Sequence, residues 1–203
     1  MKKPWRQLPV FLLLLIITIM RPALAQEPWY EVELIVFLQA DPGGPDRELH
    51  PVNPAPPRAS QIVSLRSPQD GNVAYTMLSS AQLKLGNIVQ GLKSSSYYEP
   101  LLHLGWRQPG LASKDAAAVA LPADWQPWAD TALPPLHGLV SLHQDRFIHI
   151  GIDLRYRPNR AHDDLEEQPT FVNKQSRRLR SGELHYLDRP GLGVLVQIRS
   201  LSN

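Results

Sequence analysis

The order of patterned segments predicts an α+β fold, with a mainly antiparallel sheet packed against one principal helix and long Pro-rich loops in between. Three observations carry this. A single stretch has helical periodicity, several later stretches have the two-residue period of half-buried strands, and proline-dense segments separate them.

Residues 29–38 alternate Glu31 and Glu33 with Val32 and Leu34, then turn apolar on both faces at Ile35, Val36 and Phe37, as a strand does on entering a covered sheet. Residues 40–60 carry Pro42, Pro45, Pro51, Pro54, Pro56 and Pro57 with Gly43 and Gly44. Proline cannot donate to a ladder, and so polar a stretch buries too little to offset its ordering entropy, so an exposed, dispensable loop is expected. Leu78, Ala81, Leu85, Ile88 and Leu92 recur at spacings of 3, 4, 3 and 4, which places them on one stripe of a helix over residues 79–95. Ser79 and Gln82 fit a capping box at its start, framed by Leu78 and Leu83 as a hydrophobic staple. Gly86 and Gly91 disfavour a helix interior, which predicts close approach to the sheet at both.

Residues 97–106 read as the next strand, and residues 108–135, with Gly110, an alanine-rich patch at 115–120 and Pro122, Pro127, Pro134 and Pro135, as a long connection that admits only a short helical turn. The clearest hairpin pairs residues 137–142 with 147–156, where Ile148, Ile150, Ile152 and Leu154 alternate with His149, Gly151 and Asp153. After a charged loop at 160–168, residues 171–179 and 183–187 are expected to pair across Arg180, Ser181 and Gly182, and residues 193–198 close the chain as a strand.

The first 25 residues read as a cleaved secretory leader. Lys2, Lys3 and Arg6 precede an 11-residue apolar run at 10–20, and Ala23-Leu24-Ala25 supplies small residues where a signal peptidase reads. As a helix that run rises only about 16 Å, roughly half of a hydrocarbon core. Residues 26–203 are then expected to form a single domain, soluble after export. The leader holds four of the 21 basic residues and no acid, so its removal leaves 17 against 19, a net charge of −2. Nothing in that balance seeks nucleic acid or an anionic membrane. The chain has no cysteine, which excludes disulfides, a thiol nucleophile and a lipid-acceptor residue.

Candidate chemistry is sparse. His137, His143 and His149 fall in or beside the hairpin, but their spacing brings no carboxylate with them; they read as outer-face residues, one of them buried and hydrogen-bonded, rather than as metal ligands. His185, Tyr186, Leu187 and Asp188 could serve acid-base work only if they converged, and strand alternation splits them, with Asp188 before Arg189-Pro190-Gly191 fitting a turn. No G-x-S-x-G, S-x-x-K or H-E-x-x-H pattern and no phosphate-cradling glycine loop occurs. Arg177, Arg178 and Arg180 form the densest basic cluster after the leader, suited either to carboxylates or to protecting an edge strand.

Several blocks together resemble the CsiV peptidoglycan-binding family. They are Trp29-Tyr30-Glu31-Val32-Glu33-Leu34-Ile35-Val36-Phe37, Leu101-Leu102-His103-Leu104-Gly105-Trp106-Arg107-Gln108-Pro109, and the hairpin strand Arg146-Phe147-Ile148-His149-Ile150-Gly151-Ile152-Asp153-Leu154. The closing block is Ser176-Arg177-Arg178-Leu179-Arg180-Ser181-Gly182-Glu183-Leu184-His185-Tyr186-Leu187-Asp188, with Gly193-Val194-Leu195-Val196 after it. The chain departs from the family pattern at Arg189 and Gly191, where His and an apolar residue are expected. The resemblance implies a non-enzymatic periplasmic protein of Gram-negative bacteria that binds peptidoglycan and supports cell-wall synthesis and cell shape. It implies as partner an outer-membrane lipoprotein activator of a bifunctional penicillin-binding protein, and no cofactor. A periplasmic adaptor without wall contact and a wall hydrolase are the competing readings. Wall recognition needs flat groups against sugar rings and cations for peptide carboxylates; Trp106, Tyr186, Arg107 and Arg178 have those side chains. Arg178 and Tyr186, both even-numbered in one strand region, are expected to share a binding face, with Trp106 closing the core as its competing role.

The leader reading predicts a mature chain that begins at Gln26. Mass spectrometry of the periplasmic fraction checks it, and an intact Met1 in the inner membrane would refute it.

Overall fold

The computed structural model describes residues 27–40, 50–66, 74–128, 133–158 and 169–201. The expected leader with its cleavage point, the first part of the proline-rich loop (41–49) and the charged segment 160–168 lie outside the described residues.

Strand β1 (Trp29–Gln39) explains its own composition. Val32, Leu34 and Val36 point to one side, Ile35 and Phe37 to the other, and all five are buried, so a run apolar on both faces is what a doubly covered strand requires. The first sheet has the order β3 (Thr76–Met77), β4 (Tyr98–Pro109), β1, β10 (Leu192–Leu201) and β9 (Leu184–Leu187). The second runs β2 (Ile62–Val63), β5 (Ala118–Leu121), β6 (Leu136–Gln144), β7 (Ile148–Tyr156) and β8 (Phe171–Leu179). Among the described residues pairing is antiparallel except for the short parallel β2–β5 contact and a parallel bridge between Arg66 and Thr76.

The two sheets share one core. Val32, Leu34, Val36, Leu104, Trp106, Val194, Val196 and Ile198 of the first meet Val119, Val140, Leu142, Ile150, Ile152 and Leu154 of the second. Two buried amides tie the layers together: Gln108 Nε2 donates to Leu142 O at 3.2 Å, and Asn173 Nδ2 donates to Leu187 O at 3.0 Å and Leu192 O at 2.8 Å. Each gives a buried side-chain amide the partners that burial requires.

The opposite face of the first sheet carries the helix. Helix α1 (Gly86–Lys93) sets Leu85, Ile88, Val89 and Leu92 on Ile35, Phe37 and Leu195. Eight residues make a marginal helix alone, so this contact and its N-terminal partner hold it. That partner is Glu33, fully buried on β1, whose carboxylate accepts from the backbone N–H of Lys84 at 2.9 Å and of Leu85 at 2.7 Å. The same carboxylate meets His103 Nε2 at 2.9 Å and Arg199 Nη1 at 3.0 Å. Gly105 sits opposite Glu33 on β4, and a Cβ there would lie 2.9 Å from Val32 O and 3.0 Å from both Leu78 and Leu83, so the segment leading to the helix needs a residue without one.

The structure corrects several expectations. The α+β class stands, but the partner of the first sheet is mainly a second sheet, and the helix is half the expected length. Ser79 and Gln82 do interact as a capping box, with Ser79 N–H donating to Gln82 Oε1 at 2.9 Å, yet they cap a 3-10 turn (Ser80–Gln82) that ends before the α-helix starts. Gly86 and Gly91 are exposed and a Cβ at either would meet nothing within 4 Å, so sheet contact does not explain them. The connection does contain a short turn, where the N–H groups of Asp115 and Ala116 donate to Ala112 O, but the alanine-rich stretch then runs into β5, all four residues of which are buried. Residues 171–179 and 183–187 do not pair: β8 belongs to the second sheet beside β7, and β9 to the first beside β10. The described part of the proline-rich loop is largely exposed but pinned, since Pro51 O, Val52 O and Ala55 O accept from Thr170, Arg157 and Arg155.

Burial alone would raise the Glu33 pKa, but the donors from Leu85, Lys84, His103 and Arg199 outweigh it and hold the carboxyl below its ordinary value. A carboxyl depressed in the folded state stabilises above its unfolded pKa, and that contribution fades as pH falls through the folded one. Glu33→Gln should therefore flatten the acid limb of the stability curve, and Glu33→Ala, which leaves the Lys84 and Leu85 N–H groups without their acceptor, should cost about 1–3 kcal/mol at neutral pH. Urea melts between neutral and acid pH check both.

Candidate functional site

The outer face of the second sheet is the surface of the molecule richest in chemistry. Strand register places Ala118, Ser141, Gly151 and Ser176 in one row across β5, β6, β7 and β8. Small side chains in line leave a trough of about 420 Å³, walled by Asp153 and Lys174 on one side and overhung by Arg58. Along the other side the register sets His143, His149 and Arg178 in a row, the two imidazoles stacked at 5.2 Å. Arg178 lies 3.3 Å from the centroid of the Phe147 ring.

Toward the opposite end of the same face lies a cavity of about 740 Å³. Seven prolines (Pro54, Pro56, Pro57, Pro127, Pro134, Pro135 and Pro158) and Trp125 give it apolar walls, while His137, Arg155 and Arg157 reach it from β6 and the end of β7. Alternation along β7 puts Asp153 and Arg155 on the outer face, and Arg155 Nη1 donates to Asp153 Oδ1 at 2.7 Å. The Arg155 side chain is 7% exposed, and its Nε has no hydrogen-bond partner among the described residues. Arg157 donates from Nε to Thr170 Oγ1 at 3.2 Å and from Nη2 to Val52 O at 2.9 Å, and no carboxylate pairs with it among the described residues. His137 Nδ1 lies 2.9 Å from Pro134 O, and the ring meets Trp125 edge-on at 5.4 Å. Burial depresses the His137 pKa, the Pro134 contact opposes this in part, and the charges of Arg155 and Arg157 add to the depression, so the imidazole is neutral at neutral pH.

A third feature is a tyrosine shelf on the outer face of the first sheet. Tyr186 on β9 stacks on Phe37 at 6.0 Å, and Tyr98 meets Phe37 edge-on at 5.5 Å. Gly193 makes room, since a Cβ there would lie 2.5 Å from the Phe37 ring. Tyr186 OH donates to Asp188 Oδ1 at 2.6 Å, and Gln39 Nε2 donates to Asp188 Oδ1 at 2.9 Å and contacts the Tyr186 hydroxyl. Burial first, then the Asp188 carboxylate, push the Tyr186 hydroxyl pKa well above its usual value.

The expected binding residues thus separate. Tyr186 and Arg178 do not share a face: they lie on the outer faces of different sheets, because β8 and β9 part at the turn between them. Trp106 is fully buried, with Nε1 donating to Gln108 Oε1 at 2.8 Å, so it closes the core and does not meet solvent. Arg107 is partly exposed but engaged, donating from Nε and Nη2 to Glu31 Oε1 at 3.0 and 2.8 Å. Asp188 does not act as a local turn acceptor; its carboxylate serves Gln39 and Tyr186, while Gly191, at φ +81°, makes the turn and leaves room for Phe171. The three hairpin histidines do occupy the outer face, with His137 buried and hydrogen-bonded, and no metal-competent cluster occurs among the described residues. Sequence reasoning missed Arg155, Arg157 and Trp125. The alternation of Asp153, Arg155 and Arg157 was a visible signal; the prolines that turn it into a cavity come from three separate segments.

A family model described as "Peptidoglycan-binding protein, CsiV" matches residues 9–201. No curated protein and no solved structure matches the chain. No helix among the described residues is long and apolar enough to cross a membrane.

These placements predict a split in the variants. Trp106→Ala should cost about 3–5 kcal/mol through the cavity it leaves, whereas Arg178→Ala, on an exposed face, should change stability by less than about 1 kcal/mol. Equilibrium denaturant melts read both.

Proposed function

The chain belongs to the CsiV peptidoglycan-binding family, and on that premise we propose that it binds peptidoglycan in the periplasm without cleaving it, in support of cell-wall synthesis and cell shape. The family match over nearly the whole chain carries the reading. The surface supports it. A glycan strand needs flat faces beside hydrogen-bonding groups, and the shelf of Tyr98 and Tyr186 next to Gln39 and Asp188 is such a combination. Stem peptides carry carboxylates, and Arg178 presents an exposed guanidinium at the end of the trough. Trp106 drops out of this role because nothing outside the core can touch it; Arg107 contributes at most by exchanging Glu31 for a ligand carboxylate. As protein partner we retain the lipoprotein activator of a bifunctional penicillin-binding protein that the family resemblance implies.

Co-sedimentation with purified sacculi tests the reading. The intact protein should pellet with the sacculi, and Tyr186→Ala and Arg178→Ala should each lower the pelleted fraction several-fold with the fold intact. Protein that stays in the supernatant would favour an adaptor without wall contact. Incubated sacculi should release no muropeptides; release that is lost in His185→Ala would make the protein a hydrolase.

A further inference from the structure

The cavity on the second sheet is a built site, independent of the tyrosine shelf. Its walls are proline and tryptophan, rigid surfaces that lose little entropy when a ligand packs on them. Its polar groups converge from two strands. Arg155 is buried, with Nη1 committed to Asp153 and Nη2 to Ala55, and its Nε–H, without a partner among the described residues, lies beneath the surface, so Arg155 acts on a ligand through its charge. Arg157, with no acid among the described residues, adds a second guanidinium. His137 is neutral and donates its only N–H to Pro134, so it does not repel a cationic group further along the ligand.

Among the described residues donors outnumber acceptors here, and the surplus charge is positive. Guanidinium forks match planar two-oxygen anions, and the apolar walls match short aliphatic side chains next to such an anion. We propose that this cavity is a carboxylate subsite that takes the free C-terminal carboxylate of a short D-alanyl peptide, with the alanyl methyls against Trp125 and the prolines. The identity of the peptide rests on the peptidoglycan reading; the carboxylate chemistry rests on Arg155 and Arg157 alone.

Titration of the intact protein with diacetyl-lysyl-D-alanyl-D-alanine and with its C-terminal amide tests this. The acid should bind roughly ten- to hundredfold more tightly than the amide, with NMR shift changes centred on the Trp125 indole and the His137 ring. Arg157→Gln should abolish that preference, and Arg157→Lys, which keeps the charge but not the fork, should restore part of it. Equal affinity for acid and amide, no binding of either, shift changes centred elsewhere, or displacement of the peptide by an N-acetylglucosamine oligomer would overturn the subsite. The acid-against-amide comparison needs no variant, so it decides the matter even if Arg157→Gln fails to fold. Sacculus pelleting without a preference for the acid would remove the subsite and leave the wall-binding reading standing; a preference for the acid without pelleting would do the reverse.

Discussion

A single buried carboxylate organises the first sheet and everything laid on it. Glu33 projects from the central strand toward the helix and is fully buried there, where an unpaired charge would be severely unfavourable. It is tolerable only because donors arrive from every neighbour: Lys84 and Leu85 from the start of the helix, His103 from β4 and Arg199 from β10. Each of those contacts fixes something else. The two amides lie between the 3-10 turn and the helix, so that Glu33 sets a negative charge at the positive end of the helix dipole. Arg199, which also contacts Glu31, locks the last strand to the first in the register that pairs Glu31 with it.

That register matters because β1 and β10 are the outermost described strands in sequence yet lie side by side in the middle of the sheet. Closing a loop of that length carries an entropic cost, met by the apolar ladder of Val194, Val196 and Ile198 and by the ion pairs on the opposite face. The inner face is held by shape and by the amides of Gln108 and Asn173, which bridge the sheets without introducing charge. The result is a rigid two-layer body that presents distinct chemistry on its two outer faces: aromatic rings with an amide and a carboxylate on one, guanidinium groups among prolines and small residues on the other.

For a ligand that is a glycan with peptide branches, such a division is useful. Sugars need flat, partly polar surfaces, whereas peptide carboxylates need fixed positive charge in a sheltered site, and one face would make the two compete for space. Placing Tyr98 and Tyr186 on β4 and β9, and His137 and Arg155 on β6 and β7, reduces the ordering cost of binding. The tie between Arg155, Arg157 and the carbonyls of Val52 and Ala55 also shows why the proline-rich chain lies where it does: proline-dense backbone has few donors but keeps its carbonyls, and two arginines collect them.

Local pattern determined a good deal of this protein. The period of two located β1, β6, β7, β8 and β10 to within a few residues, the outer-face placement of the hairpin histidines followed from alternation, and the apolar stripe through Leu85, Ile88 and Leu92 found the helix, because each of these reports a burial periodicity written into neighbouring residues. Tertiary structure decided the rest. The helix begins at Gly86 and not at the capping box because the N–H groups of Lys84 and Leu85, just before it, are claimed by Glu33, a residue 51 positions before Lys84. Residues 171–179 and 183–187 look like a hairpin, yet they go to different sheets, because inward side chains of β8 such as Asn173 bond the backbone of β9 across the layers instead of pairing with it in one. That one choice puts Arg178 and Tyr186 on separate faces, and the arginine cavity likewise exists only where three proline segments meet the end of β7. Strand partnership and cavity walls depend on contacts far apart in the chain, and residue spacing carries no information about them.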